Sequence, residues 1–175
     1  MDVQPPQALG TGIALDWRHL IDAARILAGV SGPATAPGRP RQAMLKRAVS
    51  TAYYAMFHAL CVSNADALVG TSPSGTVFDL WVQTFRALDH GQARNRLFAY
   101  RQQSSVAEIH DFASAFGRLQ ADRLDADYNP RSVFTRSQVV SLIDLAEAVT
   151  RAFDNLPVRQ RRLLATHLLV GRSRG

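Results

Sequence analysis

Four side chains that could together bind a phosphate or a nucleotide follow one another at helical spacing between residues 47 and 58. At about 100° per residue, the following residues fall on one side of a helix: Arg47, Thr51, Tyr54 and His58. A guanidinium, a hydroxyl, a phenol and an imidazole on one face can hold a phosphate, or can form a polar network between helices. The opposite side of the same helix is apolar, with Leu45, Val49, Ala52, Met56 and Leu60, and is predicted to face the core.

A second polar cluster begins at Arg123. The inward positions of its helix are predicted to be Ile109, Phe112, Phe116 and Leu119, and the same spacing reaches position 123 next. Burying an unpaired guanidinium costs on the order of several kcal/mol, so Arg123 needs acceptors inside the protein or a polar cleft. Asp127, Tyr128 and Asn129 follow, just before Pro130 ends the helix.

Two interpretations of this second cluster are open. In the first, Arg123 forms an internal salt bridge with Asp127, and Tyr128 closes the helix end. In the second, the cluster is one wall of a cleft whose other wall carries Arg47, Tyr54 and His58. His58 could then act as an acid or base if the cleft brings it near Arg123.

Helical periodicity predicts the elements that position these clusters. A first helix ends at Gly29, a linker covers residues 30 to 40, and a long second helix runs from Arg41 to about Asn64. A third helix covers residues 77 to 89 and is interrupted near Gly91, before a short basic segment with Arg94, Arg96 and Arg101. His90 is expected at a helix end, where its positive charge would favour the C-terminal dipole.

Capping signals predict the remaining helices. Ser105 with Glu108, and Thr135 with Gln138, each have the spacing of a capping box, and Pro157 opens a final helix. Because no stretch alternates between apolar and polar residues, we predict an all-α protein of five or six helices.

Composition and charge exclude several classes of protein. The chain has 175 residues and a formal net charge of +6, and five arginines with no acid lie in residues 157 to 175. This basic segment could contact nucleic-acid phosphates, or it could be a solvated end.

The single cysteine, Cys61, cannot form an intrachain disulfide, and no apolar run is long enough to span a membrane. We therefore expect a cytoplasmic protein without a metal or other cofactor, because no group of residues has metal-ligand spacing.

Residues 46 to 58 and 123 to 130, at this separation, resemble the HEPN (higher eukaryotes and prokaryotes nucleotide-binding) domain. The similarity covers residues 15 to about 153. It implies an up-and-down four-helix bundle core with accessory N- and C-terminal helices, usually as a homodimer. It further implies a bacterial locus with a nucleotidyltransferase-like antitoxin or a role in defence. Many members of the family are metal-independent RNases. The resulting division is a flexible N-terminus (1 to 14), a bundle (15 to 156), and a basic C-terminal helix and tail (157 to 175).

The chain departs from the catalytic members of that family at one position. Those members carry an arginine followed after four to six residues by a histidine, whereas Arg123 is followed at that spacing by Tyr128. A phenol is a poor general base at neutral pH. We therefore expect a module that binds RNA or a nucleotide, or pairs with an antitoxin, through Arg47, Tyr54, Asp127 and Asn129. The alternatives are a metal-independent RNase using Arg123 with Tyr128, Arg47 or His58, and a non-catalytic structural dimer.

Overall fold

The computed structural model describes residues 16 to 30, 41 to 71 and 73 to 170, and every regular element in those ranges is a helix. The prediction of an all-α protein is confirmed, but the described ranges hold seven helices instead of the predicted five or six. The predicted flexible N-terminus and nearly all of the predicted linker lie outside the described residues. The helices are α1 (Trp17–Leu27), α2 (Gln42–Leu68), α3 (Thr76–Arg86), α4 (His90–Arg101), α5 (Ala107–Tyr128), α6 (Arg136–Asp154) and α7 (Val158–Leu169).

Helix α2 is the centre of the fold. Its predicted apolar stripe is buried, and alanines on its other sides, such as Ala48, Ala55 and Ala59, are buried as well. Small side chains allow neighbouring helices to approach closely. Helices α1, α3, α5, α6 and α7 all pack against α2. The position of α2 therefore determines which of its side chains can meet residues of α5.

Aromatic rings fill the core between α2, α5 and α6. The predicted inward residues of α5 are all buried, and the ring of Phe112 stacks on that of Phe153 of α6 with centroids 4.3 Å apart. The ring of Phe116 is tilted against that of Tyr53 of α2, with centroids 5.3 Å apart. Leu164 and Leu168 of α7 join the same core. The up-and-down order of a four-helix core and the division at residue 156 stay predictions.

Ion pairs join α1 to α6. The Nη2 atom of Arg25 lies 2.8 Å from an Asp144 oxygen and 2.6 Å from a Glu147 oxygen. At the other end of α1, the indole N–H of Trp17 donates to Asp154 at 2.9 Å. The first helix is thus held by charged and polar contacts at both ends as well as by its apolar face.

Two predicted helix ends are confirmed by their hydrogen bonds. Gly29 has a φ of 70°, and the N–H of Val30 donates to the carbonyl of Arg25, which is the Schellman ending that glycine favours. At the start of α6, Thr135 and Gln138 form the complete capping box.

The predicted capping box at Ser105 is wrong. Helix α5 begins at Ala107 with Val106 as its N-cap, so Glu108 stands two residues after the cap instead of three. The hydroxyl of Ser104 accepts from the N–H of Val106 at 3.2 Å. The side chain that bonds to the backbone before α5 is therefore that of Ser104 and not that of the predicted Ser105.

The predicted interruption between the third helix and the basic segment is confirmed, but it lies at residues 87 to 89 and not at Gly91. Helix α3 ends at Arg86, and α4 begins at His90 because the carboxylate of Asp89 accepts from the N–H of Gln92 at 2.7 Å. This cap stabilises a helix start that tolerates Gly91 in the first turn. The basic segment is therefore a helix, and His90 stands at its N-terminal end.

No helix in the described parts of the chain combines the length and apolar character needed to cross a membrane.

Replacing the cap residue of α6 should lower stability. We expect Thr135→Ala to reduce the free energy of unfolding by about 1 kcal/mol, since the N–H of Gln138 loses its acceptor. Urea denaturation followed by circular dichroism measures this change. Thr166→Ala is the matched control, because the exposed Thr166 hydroxyl bonds only to the Arg162 carbonyl within α7. Equal losses from both variants would contradict the capping role.

Candidate functional site

Arg123 lies where its spacing predicts, on the inner side of α5, with its side chain only 17% exposed. Its Nη2 atom donates to the phenol oxygen of Tyr54 at 3.0 Å, and its Nε atom lies 2.8 Å from Oδ2 of Asp127. The N–H bond at Nε does not point at that oxygen, so the contact is an ion pair without an aligned hydrogen bond. The structure thus brings together three of the predicted site residues.

The carboxylate of Asp127 is held from the opposite side by α2. The hydroxyl of Ser50 donates to its Oδ1 atom at 2.5 Å. Arg123, Asp127 and Ser50 therefore form a continuous polar contact between α5 and α2. The charge of the guanidinium is compensated inside the protein, which is the condition for burying it.

Three tyrosine rings surround the same guanidinium. Its Cζ atom lies 6.0 Å from the ring centroid of Tyr53, and 5.6 Å from those of both Tyr54 and Tyr128. These distances are within the range of cation–π attraction. Burial lowers the pKa of Arg123, but Tyr54 and Asp127 outweigh this effect, and the pKa is raised above its ordinary value.

Tyr128 is the exposed member of this group. It is 71% exposed, so it does not close the helix end as the first interpretation expects. A large aromatic ring that is held beside a cation and faces the solvent is suited to stacking against a flat ligand.

A second network adjoins the first through Tyr53. Its phenol oxygen lies 3.0 Å from Nδ1 of His90, and Gln120 donates to that phenol at 3.5 Å and to the His90 carbonyl at 2.7 Å. Burial raises the pKa of Tyr53 to about 12, and burial, with a smaller contribution from Arg123, lowers the pKa of His90. Both shifts favour the neutral forms, and the tautomer of His90 decides which of the two groups donates in this bond.

His90 is the residue that the sequence analysis placed wrongly. Its ring packs on Phe57 with centroids 3.7 Å apart, in contact with the tyrosine cluster, rather than interacting with a helix C-terminus. The i, i+4 spacing of Tyr53 and Phe57 is the signal that could have identified this aromatic face of α2.

His58 and Arg47 do not join the Arg123 cluster. The ring of His58 packs against Phe85 of α3, with centroids 5.6 Å apart, and burial lowers its pKa. Arg47 is exposed, and its side chain forms no hydrogen bond or ion pair with the other described residues. The expected wall of Arg47, Tyr54 and His58 therefore contributes only Tyr54 to the contacts of Arg123.

Asn129 is beside the cluster but faces elsewhere. Its side-chain amide donates to Asp125 at 2.6 Å, and its carbonyl accepts from Lys46 at 2.8 Å. Lys46 and Ser50 are one residue before Arg47 and Thr51, so the side of α2 that meets the end of α5 is rotated by about one residue from the predicted stripe. This rotation explains why Arg47 and Thr51 of the predicted stripe are absent from the Arg123 cluster.

Among the described residues, no group of three histidine, cysteine or acidic side chains is placed to hold a metal ion. Cys61 is buried, and burial raises the pKa of its thiol to about 12. The cysteine therefore has the environment of an inert core residue.

Comparison of the chain with protein-family models, curated proteins and solved structures finds no match.

Protonation of the partly buried His58 and His90 should destabilise the fold. Because the folded state lowers the pKa of His58 and His90, the unfolded chain binds more protons as the pH falls below about 6.5. The free energy of unfolding is then highest, with respect to these groups, above that pH and decreases towards pH 5. We expect the double variant His58→Asn/His90→Asn to show a smaller decrease than the unaltered protein in urea denaturation at both pH values. His19→Asn, at an exposed position of α1, should leave the decrease unchanged. An unchanged slope in the double variant would contradict the assignment.

Proposed function

We propose that this chain is a HEPN-like module that binds RNA or a nucleotide by stacking a base on Tyr128 beside Arg123. The supporting observation is the exposed ring of Tyr128, held 5.6 Å from a guanidinium that is itself fixed by Tyr54 and Asp127. Every base has a π-face, and stacking of a base on an aromatic side chain contributes about 1–3 kcal/mol. A preorganised ring beside a cation suits this mode of binding.

The same contacts favour binding over cleavage. Arg123 already contacts Asp127 and Tyr54, so its charge is not free to stabilise a developing phosphate charge. Tyr128 stands where catalytic relatives of the resembled family carry a histidine, and His58 packs against Phe85 instead of Arg123. A metal-independent RNase remains the alternative. RNA cleavage by the pure protein in the presence of a chelator, lost in Arg123→Ala, would support that alternative and contradict a binding-only role.

Removing the exposed ring should weaken RNA binding. We expect Tyr128→Ala to raise the Kd for a short fluorescein-labelled single-stranded RNA by roughly fivefold to a hundredfold, the equivalent of one lost stacked base. Tyr128→Phe keeps the ring and should retain most of the affinity. Fluorescence anisotropy at fixed ionic strength measures each Kd.

Val133→Ala is the matched control for this experiment. Val133 is 72% exposed, close to the exposure of Tyr128, and has no aromatic ring. Its replacement should leave the Kd unchanged. If Tyr128→Ala binds as tightly as the unaltered protein, the stacking proposal fails.

A second candidate is a protein partner on the same end of α5. Leu124, 46% exposed, is one helical turn before Tyr128, so both side chains lie on one face of the helix. Exposed apolar side chains in such an arrangement are typical of a surface that another chain covers. A second copy of this chain would give the homodimer that the resemblance implies, and a nucleotidyltransferase-like antitoxin would give a heteromeric pair in a toxin–antitoxin or defence setting.

A charge on this face should disrupt a homodimer. We expect the unaltered protein to sediment as a dimer in analytical ultracentrifugation, and Leu124→Glu to sediment as a monomer, because the variant buries an unpaired carboxylate at the contact. Leu163→Glu, on α7 and 48% exposed, is the control and should stay dimeric. A monomeric unaltered protein would exclude the homodimer on this face.

A further inference from the structure

The positive charge of this chain is concentrated in two segments that contain no acid. Residues 90 to 107 and 155 to 175 hold eight of the 20 basic residues and none of the 14 acidic residues. The remainder of the chain therefore has 12 basic and 14 acidic residues, a net charge of −2. Helices α4 and α7 lie in these two segments and pack against each other. Six of these eight basic residues lie on α4 and α7, so the described structure has a basic region where these two helices pack together.

The arginines of α4 have only neutral partners among the described residues. Arg101 donates to the hydroxyl of Ser114 at 3.0 Å, and Arg96 donates to the carbonyl of Leu168. Arg94 is exposed and lies over the ring of Phe98. By contrast, the arginines in ion pairs within the described ranges are all on α1, α5 and α6: Arg18, Arg25, Arg118, Arg123 and Arg151. The charges of α4 are therefore not compensated by neighbouring carboxylates.

An aromatic ring lies between two of these arginines. The Cζ atoms of Arg94 and Arg101 are 5.7 Å and 5.5 Å from the ring centroid of Phe98. The ring lies against Gly117 of α5 so closely that a Cβ atom there would be 2.8 Å from it. Gly117 thus lets Phe98 rest on α5, and the two guanidinium groups are held near the ring instead of moving freely.

Helix α4 also runs from the neighbourhood of Arg123 to the basic helix α7. Its first residue, His90, belongs to the tyrosine cluster next to Arg123, and at its other end Tyr100 packs against His167 of α7 with centroids 5.2 Å apart. Twelve residues of helix span about 18 Å. The helix therefore leads from the proposed base-stacking site to the basic C-terminal helix.

The Arg123 cluster itself provides little positive charge for phosphates, because Asp127 neutralises its guanidinium. A nucleic acid whose base stacks on Tyr128 needs cations elsewhere for its backbone. We infer that Arg94 and Arg101, called the α4 arginine face, contact the phosphodiester backbone of the single-stranded RNA whose base is bound at Tyr128. This inference rests on the proposed function for the identity of the ligand.

The salt dependence of RNA binding tests the inference directly. For single strands, the slope of log K against log salt concentration changes by about 0.7 for each phosphate contact. We expect Arg94→Gln/Arg101→Gln to make this slope shallower by about 1.4, measured by anisotropy of labelled single-stranded RNA over a series of KCl concentrations. Arg94→Lys/Arg101→Lys keeps both charges and should retain the slope.

The matched control is Arg18→Gln/Arg151→Gln. It removes the same two charges, but from arginines that are paired with carboxylates, so the slope should stay unchanged. Equal changes in both double variants, or no change in the α4 variant, would overturn the inference. The thermal unfolding midpoint shows whether the α4 double variant folds. If it does not fold, the single Arg94→Gln variant, at an exposed position, should make the slope shallower by about 0.7.

Two further arms separate this inference from the proposed function. Loss of affinity in Tyr128→Ala with an unchanged slope in the α4 variant overturns the inference alone. A shallower slope in the α4 variant with full affinity in Tyr128→Ala supports the arginine face and overturns the stacking site.

A single-stranded DNA of the same sequence should show the same difference in slope, because phosphate contacts do not read the 2′-OH. A difference confined to RNA would contradict a backbone contact.

Discussion

The compensation of one buried cation is the constraint on which the candidate site depends. Arg123 replaces the apolar residue that its position in α5 calls for, and a guanidinium cannot stay there without acceptors. Asp127, one turn later, provides the opposite charge, and Ser50 of α2 fixes the orientation of that carboxylate. Tyr54 accepts the hydrogen bond that Arg123 donates through Nη2. Helices α2 and α5 are therefore held in register by a polar contact, in addition to the apolar packing of the core.

The same compensation limits what the site can do chemically. A neutralised arginine attracts a phosphate weakly, but it still polarises and orients the rings around it. The part of this cluster that faces the solvent is the exposed ring of Tyr128, which lies beside the guanidinium of Arg123. In the proposed function, base recognition and backbone attraction are divided between two places, with stacking at the end of α5 and positive charge along α4. His90 belongs to both places, because it starts α4 and bonds to Tyr53.

Most of the helical architecture could be predicted from the sequence, since it depends on local chemistry. The apolar stripes of α2 and α5 are buried as their spacing indicates, and Gly29 and Thr135 end and begin their helices through their own backbone and side-chain bonds. The errors arise where two local signals compete. Ser104 accepts from the N–H of Val106 just before α5, where the pattern assigned a capping role to Ser105, and the cap at Asp89 outweighs the helix-breaking tendency of Gly91.

The sequence by itself determined that the protein is helical, that position 123 faces inward, and that Asp127 is within reach of Arg123. Only the tertiary structure decided the remaining partners. Periodicity places residues around one helix, but it does not fix the rotation of that helix against its neighbours, and one residue of rotation exchanges Arg47 and Thr51 for Lys46 and Ser50. His90 likewise enters the site because α4 packs beside α5, a contact between segments 30 residues apart that no local pattern encodes.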